Sequence, residues 1–404
     1  MISVLEAQKI ILESVDVLGE EDIEISSLLN RVLSQDIIST IDIPTSNLSA
    51  MDGYAVASSD TKGASEKNPV SLEVIEEIPG EAIPKKVIKN GFASRIMTGA
   101  MLPEGADSVV MIEDTETMRQ SVMIKKETKP YENVIQRGEN IKNGELVLER
   151  QRVIDPSSIG ILASLGITSV KTIKQPKIAV LATGNEIVDI RGELLPGKIR
   201  NTNTWTLSAQ IRESWAIPID LGIGRDNKED ISSRIERGLK EADMLITSGG
   251  VSIGDYDITR DVLEDMGLMV KFHKVAMRPG KPTLFGIIKG KPFFGLPGYP
   301  VSSMVCFEIL ARPAILKMGG RKNLERPIIK AILGEEIRKK TDRRHYLRVS
   351  LKKKNGLFEA RLSGNQGSSV LSSMVKADGL LIAEKDVEFI PCGSEVSVYL
   401  LRNV

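Results

Sequence analysis

Apolar positions recur along this chain with two spacings, one typical of helices and one typical of strands. The first forty residues predict helix, because Ser3 and Glu6 have the spacing of a capping box and apolar residues follow at helical intervals. Residues 70–75 and 121–124 alternate between apolar and polar positions, which predicts strands. The chain is therefore expected to begin with a helical segment and to continue with a β-rich one.

From residue 177 the pattern changes to an alternation of buried strands and amphipathic helices. Residues 177–183 form a short apolar run that is typical of a buried parallel strand. Further strands are predicted over 217–222 and 243–247, and helices over 203–213, 228–241 and 257–266. Repeated units of this kind predict a parallel-rich sheet with helices on both faces, whose ligands lie at the carboxyl ends of the strands.

These changes of pattern, in a chain of 404 residues, predict an α/β multidomain protein. Asp155-Pro156 predicts the start of a helix, and we assign this helix to the same domain as the first forty residues. Residues 171–177 are expected to be a linker. Strand-like runs after residue 320 predict a small β barrel or sandwich. The predicted domains are an elongated N-terminal helical and linking domain (1–42 and 137–175), an inserted β-rich domain (43–136), an α/β domain (176–325) and a C-terminal β barrel (326–404).

Composition excludes several classes of function. Lys+Arg and Asp+Glu both total 54 and aromatic residues make up 4%, so the chain lacks the positive charge and stacking platforms of nucleic-acid-binding proteins. The basic residues within 338–354 leave RNA binding as a minor alternative, since such runs are usually solvated faces. Glu6 interrupts any signal-peptide core, and the longest uncharged stretch, 292–307, contains three prolines and is too short to span a bilayer. We therefore expect neither nucleic acid nor membrane as a partner.

The rarest residues limit the chemistry further. Two cysteines are too few for a disulfide framework or a zinc site built from four cysteines, and two histidines are too few for an imidazole-rich metal site; this usage favours a reduced, cytoplasmic setting. Any divalent ion must then be held by oxygen ligands, which suits Mg²⁺.

Glycine and acidic residues occur together where the predicted parallel strands end, at 183–186, 224–226 and 248–257. Glycines let backbone N–H groups approach an anion closely, and Asp257 is expected to open a helix whose positive end lies beside it. Phosphate and a phosphate-bound Mg²⁺ are natural ligands for such loops. Each loop taken alone is better explained as a tight turn with aspartate as N-cap, whereas three such loops at consecutive strand ends favour a ligand site.

Two further loops carry donors for an anion. Residues 274–282 place Arg278 and Lys281 on a proline-fixed turn suited to an oxyanion, and residues 295–303 lead into a helix with Ser302 and Ser303 in its first turn. For either loop taken singly, solvated basic residues on an ordinary Pro-Gly turn are the favoured interpretation.

Ser252 matches the G-x-S-x-G pattern of a nucleophile elbow, which would indicate a serine hydrolase. The elbow needs a sharp turn directly between strand and helix, whereas the loop here is ten residues long. Only His273 and His345 are present to serve as its base. A hydrolase is therefore a weak alternative, and no P-loop or complete dinucleotide fingerprint is present.

Four further motifs accompany these loops: SAMDGYAV at 49–56, RIMTGA at 95–100, RGEN at 137–140 and SGNQGS at 363–368. Together they make the whole chain resemble the molybdopterin molybdenumtransferase family, which is related to the gephyrin E domain. The resemblance implies a four-part homodimer whose site is completed across subunits. It also implies insertion of molybdate into adenylylated molybdopterin with release of AMP, and with Mg²⁺ as the usual cation.

The resemblance also assigns roles to individual residues. Its catalytic residues fall on Asp52, Thr98, Glu186, Asp226 and Asp257, and the cation would be held by Glu186, Asp226 and Asp257. Its substrate-binding positions, combined with the donors described above, are Ser248, Gly249, Gly250, Ser252, Arg278, Lys281, Pro297, Pro300, Ser302, Arg348 and Ser368.

The resemblance leaves other questions open. Asn140 stands where many relatives have aspartate, so it cannot contribute charge to a cation contact. A non-catalytic scaffold is the main competing class, although a scaffold would not need the four acids that are present. The sequence does not distinguish molybdate from tungstate, and it does not identify the molybdopterin adenylyltransferase that would supply the substrate.

Overall fold

The computed structural model describes residues 1–250, 258–340, 342–354 and 356–402. Within these ranges the chain forms a β-rich amino-terminal half, a central α/β domain and a carboxyl-terminal barrel. None of the described helices has both the length and the apolar character needed to cross a bilayer.

The linking region is built mainly from short strands that pair residues distant in sequence. Glu20–Glu24 pairs antiparallel with Ser169–Ile173, and Ile37–Ile38 pairs with Leu146–Leu148. The prediction of helix over the first forty residues was therefore wrong beyond Glu13, because tertiary pairing draws residues 20–24 into a sheet. The linker prediction was also wrong for residues 171–173, which end the strand Ser169–Ile173.

Two helices accompany these strands, and both begin as the sequence predicted. Helix Val4–Glu13 starts at Ser3, whose side chain accepts a hydrogen bond from the backbone N–H of Glu6. Helix Pro156–Ser164 is capped by Asp155 in the same way. The first helix packs into the core of the α/β domain through Val4, Ala7 and Ile11. The predicted domain boundaries themselves stay a prediction.

The inserted region contains a six-stranded sheet, as predicted for a β-rich module. Its spatial order is Ser108–Met111, Gly53–Val56, Phe92–Ile96, Val70–Ile78, Ser121–Ile124 and Thr115–Thr117. A short pair, Leu48–Ser49 with Val134–Ile135, connects this sheet to the linking region.

A second six-stranded sheet forms the centre of the α/β domain. Its order is Ile217–Gly224, Lys177–Thr183, Met244–Ser248, Lys291–Leu296, Leu284–Ile288 and Met269–His273. The helices around it are Asn203–Glu213, Lys228–Glu241, Ile258–Asp265, Pro300–Cys306 and Arg312–Met318, with a π-helical turn at Phe307–Ala311 and a small strand pair at Ile187–Val188 and Ile199–Arg200. Buried apolar residues lie on both faces of the sheet, which confirms the predicted two-sided core.

Four of these strands are parallel and the last two pairings are antiparallel. The reversal comes from the two residues between Leu284–Ile288 and Lys291–Leu296. Lys289 and Gly290 both have positive φ, at 47° and 77°. That conformation makes a two-residue hairpin, which is too short for the helical crossover that a parallel connection requires.

The carboxyl-terminal region is a closed five-stranded barrel. Its strands follow the order Arg344–Lys354, Leu357–Leu362, Ile328–Leu333, Glu395–Leu400 and Gly379–Ala383, and the last pairs with the first. Closure removes the exposed strand edges and encloses an apolar interior. Outside the barrel lie the helix Leu371–Val375 and the pair Ile337–Arg338 with Phe389–Ile390. Met277–Arg278, from the α/β domain, extends the barrel sheet beside Arg344–Lys354.

Candidate active site

The parallel strands bring the glycine-containing loops to one edge of the central sheet. Thr183 lies opposite Gly224, and Ser248 lies opposite both Ala182 and Leu296. Because these strands run in the same direction, the loops that follow them are neighbours in space. The structure therefore brings together the loops at 183–186, 224–226, 248–250 and 296–300.

Gly249 and Gly250 turn the chain away from its strand with φ angles of 92° and 62°. A Cβ on Gly249 would lie 2.8 Å from the backbone oxygen of Thr183, and one on Gly250 would lie 2.7 Å from Thr183 Oγ1. Only glycine fits this turn without displacing the neighbouring strand. The close packing of this half-buried turn against Thr183 therefore requires glycine at both positions.

Asn203 is a site residue that the sequence did not indicate beyond its place at a helix start. Its buried amide donates hydrogen bonds to Ser248 Oγ at 2.6 Å and to the backbone oxygen of Gly298 at 2.8 Å. One side chain thus joins the loop after Met244–Ser248 to the proline-containing turn at 297–300. In the sequence, Asn203 is marked only as a polar residue in the first turn of a helix, and such residues are too common at helix starts to predict a binding site.

We expect Asn203→Ala to weaken the binding of a ligand at these loops roughly tenfold or more, because both loops lose their shared donor and an alanine leaves their oxygens unpaired. Equilibrium binding of the pterin that the sequence resemblance implies measures the effect. Gln210→Ala is the matched control, since Gln210 lies in the same helix and its amide donates to Met304 and Glu308. Equal loss of binding in both variants would show that Asn203 acts only through helix stability.

The described carboxylates of the predicted cation site lie on adjacent loops. Asn185 N–H donates to Asp226 Oδ2 at 3.3 Å, and Asp226 N–H donates to Asn185 Oδ1 at 3.2 Å, so the loop carrying Glu186 is tied to the loop carrying Asp226. Asp257 and Ser252 lie outside the described residues. Among the residues that are described, no three His, Cys, Asp or Glu side chains converge as a metal site.

The proline-containing turn leads from the sheet into helix Pro300–Cys306. Pro297 is buried, Pro300 occupies the first helical turn, and the side chains of Ser302 and Ser303 are buried beneath it. Within the described part of the chain, Ser303 Oγ has no hydrogen-bond partner. The backbone N–H of Val301 donates to the oxygen of Ser368 at 3.1 Å, which connects this helix start to the barrel.

A cavity of about 510 Å³ lies where the barrel meets the α/β domain. Three of the four predicted oxyanion-binding residues line it: Arg278, Arg348 and Ser368. Lys281 is exposed and is not among the lining residues. The cavity is also lined by three basic residues that the sequence predicted to lie on a solvated face: Arg338, Lys339 and Lys340. We name this space the junction cavity.

Arg348 is almost completely buried, with 1% of its surface exposed. Its guanidinium donates to Ser373 Oγ at 3.1 Å and to the backbone oxygens of Gly367 and Asn365 at 3.1 and 3.3 Å. Burial lowers the pKa of this guanidinium to about 10, so it remains charged at neutral pH. Arg348 therefore shapes the loop at 363–368 that carries Ser368.

Asp52 and Thr98 form a pair in the inserted domain. The backbone N–H and the hydroxyl of Thr98 donate to Asp52 Oδ1 at 2.7 and 2.8 Å. These hydrogen bonds, backbone first, lower the pKa of Asp52, and the nearby charge of Arg95 acts in the same direction. The Asp52 carboxylate is exposed and ionised, but it belongs to a different domain from the strand-end loops.

The central α/β domain and the domains around it define a multidomain class built on a molybdopterin-binding fold. Residues 179–317 match the model of a probable molybdopterin binding domain. Residues 2–166 match the MoeA N-terminal region (domain I and II), and residues 330–401 match the MoeA C-terminal region (domain IV). The chain belongs to the MoeA family of molybdopterin molybdenumtransferases and is a transferase of molybdenum cofactor biosynthesis.

Similar proteins support this assignment along the full chain. A Staphylococcus epidermidis protein named molybdopterin molybdenumtransferase is 35% identical over 403 residues, covering 100% of this chain and 96% of the relative. A Staphylococcus aureus protein of the same name is 37% identical and covers 88% of this chain and 82% of its own. A molybdopterin biosynthesis MoeA protein structure from Pyrococcus is 36% identical, with a TM-score of 0.87 and complete coverage of both chains.

Proposed function

We propose that this chain inserts molybdate into adenylylated molybdopterin at the strand-end loops and the junction cavity, and that AMP is released in the same reaction. The observation that carries the proposal is the junction cavity, because it collects Arg278, Arg348 and Ser368 from separate domains beside the pterin-binding fold. A space lined by two guanidinium groups and a hydroxyl suits a tetrahedral oxyanion.

The pterin and its phosphate would bind at the edge of the central sheet. Ser248, Gly249 and Gly250 supply the turn at the strand end, and Ser252, two positions further along the sequence, is assigned to the same ligand. Pro297 and Pro300 hold the facing turn, and the first turn of helix Pro300–Cys306 adds Ser302.

Glu186, Asp226 and Asp257 would hold the divalent cation. The described members of this set fit Mg²⁺, because exposed carboxylate oxygens on two tied loops are hard ligands. When bound, Mg²⁺ would neutralise charge on the adenylate phosphates. The protein would position that phosphate, and cleavage of the phosphoanhydride bond would need no protein nucleophile.

Molybdate would lie in the junction cavity, near the α/β domain residues Arg278 and Lys281 and the barrel residues Arg348 and Ser368. Asp52 and Thr98 would reach the site from a second subunit of a homodimer, since they lie in the inserted domain. An adenylyltransferase would supply the substrate. We place the reaction in the cytoplasm, because both cysteines are unpaired and unpaired cysteines are typical of a reducing compartment.

Release of AMP from adenylylated molybdopterin tests the proposal directly. We expect release to require both molybdate and Mg²⁺, and the pterin product to contain molybdenum. Release that is independent of molybdate would indicate hydrolysis. Retention of the intact adenylylated substrate under all conditions would indicate a binding scaffold.

Ser252→Ala distinguishes the transferase from the serine hydrolase. Loss of one neutral hydrogen bond costs on the order of 1 kcal/mol, roughly a fivefold effect, whereas loss of a nucleophile costs many thousandfold. We expect the variant to retain molybdate-dependent AMP release and the wild type to resist fluorophosphonate. Stoichiometric labelling of Ser252, together with an inactive alanine variant, would support the hydrolase instead.

A further inference from the structure

His345 lies in the wall of the junction cavity, between the two domains that form it. The strand Met277–Arg278 runs parallel to the start of Arg344–Lys354 and places Arg278 opposite His345. On the other side His345 is paired with Ala383 of the barrel. Only 4% of the His345 surface is exposed, and the residue is among those that line the cavity.

One ring nitrogen of His345 is buried without a hydrogen bond. Nε2 has no partner among the described residues, and the closest carboxylate oxygen, Asp342 Oδ1, is 3.6 Å away. That distance is too long for an N–H···O hydrogen bond. A buried polar nitrogen with no hydrogen bond is costly, and a ligand oxygen that came within hydrogen-bond distance of Nε2 would remove the cost.

The charges around His345 favour its neutral form while the cavity holds no anion. Burial lowers its pKa most, the positive charges of Lys339 and Arg278 lower it further, and Asp342 acts in the opposite direction. On its own strand, Arg344 is paired with Glu384. The ionisable groups that surround it on the cavity wall and adjoining elements are Arg278, Arg338, Lys339, Lys340, Asp342, Arg344, Tyr346, Arg348, Glu384 and Glu388.

We propose that His345 is a further oxyanion-binding group of the junction cavity, and that binding of molybdate is coupled to protonation of its imidazole. The inference rests on the proposed function, because it takes molybdate to occupy this cavity. A dianion beside the ring offsets the repulsion from Lys339 and Arg278, and the imidazolium can donate a hydrogen bond from Nε2 to a molybdate oxygen.

The sign of the pH dependence follows from these two states. The free protein holds His345 neutral, and the bound oxyanion raises its pKa, so molybdate takes up a proton as it binds. Affinity is then greatest at the acidic end of the neutral range and decreases as pH rises, by up to about tenfold per pH unit for one coupled proton. The decrease in affinity ends once the pH exceeds the pKa that His345 has with molybdate bound.

The chain contains only two histidines, which makes the proton assignable by NMR. Protein labelled with ¹³C-histidine should give two imidazole signals, and sodium molybdate added at pH 7 should move that of His345 to its protonated position. His273→Gln assigns the signals. Calorimetry in buffers of different ionisation enthalpy should show net uptake of up to about one proton per molybdate.

Two variants separate this inference from the proposed function. His345→Gln should still bind molybdate, several-fold more weakly, and with no proton uptake between pH 6 and 8. Arg278→Ala should weaken molybdate binding at every pH. If Arg278→Ala had no effect, the oxyanion would not lie in this cavity and both proposals would fail. If Arg278→Ala weakened binding but the wild-type His345 signal stayed neutral at saturating molybdate, only the histidine inference would fail.

Discussion

Asp226→Asn is expected to slow Mg²⁺-dependent AMP release by at least about a hundredfold, because it removes one of the charges proposed to hold the cation. The variant should fold normally. Asparagine has the same shape, and its amide oxygen can still accept the hydrogen bond that Asn185 N–H donates to Asp226 Oδ2. The measurement is the rate of AMP release as a function of Mg²⁺ concentration.

Asp220→Asn is the matched control for this prediction. Asp220 lies on Ile217–Gly224, the strand that leads into the loop carrying Asp226, and its carboxylate accepts a hydrogen bond of 2.7 Å from the backbone N–H of Gly222. The substitution removes the same charge away from the strand-end loops, so turnover should be nearly unchanged. Near-normal AMP release by Asp226→Asn would remove the cation assignment. Asp257→Asn should lower the rate in the same way.

Arg348→Ala is expected to abolish the response to molybdate while affecting adenylate binding much less. The substitution removes a charge from the junction cavity and leaves the oxygens of Asn365 and Gly367 without their donor. Loss of these part-buried hydrogen bonds, and of the buried one to Ser373, is expected to destabilise the barrel by on the order of 2–4 kcal/mol. AMP release as a function of molybdate concentration, with thermal unfolding of the same sample, measures both effects.

Two further variants separate the charge of Arg348 from its structural role. Arg348→Lys keeps the charge, but one ammonium cannot replace the two guanidinium nitrogens that bind Ser373 (through Nε) and the two backbone oxygens (through Nη2), so it should lose most of the molybdate response. Arg278→Ala removes a charge from an exposed side chain and should weaken the response with little change in thermal unfolding. An unchanged molybdate response in both, with loss of pterin binding, would contradict the position assigned to molybdate.

Local patterns predicted much of the fold because they report which side of an element is buried. Residues 177–183 were recognised as a buried parallel strand from their apolar run, and Ser3 and Asp155 marked helix starts through their capping side chains. The same patterns failed at residues 20–24. There the strand depends on Ser169–Ile173, about 150 residues further along, and no local feature reports that partner.

The same distinction between local patterns and long-range contacts applies to the candidate site. In a parallel sheet, the residues that follow successive strands lie at the same edge. The sequence by itself therefore determined that the loops at 183–186, 224–226 and 248–250 lie close together. Only the tertiary structure decided that Asn203 joins two of these loops and that Arg348 is buried. It also decided that His345 faces Arg278 across two domains. Burial and hydrogen-bond partners depend on residues far apart in the chain, and the spacing of neighbouring residues does not encode them.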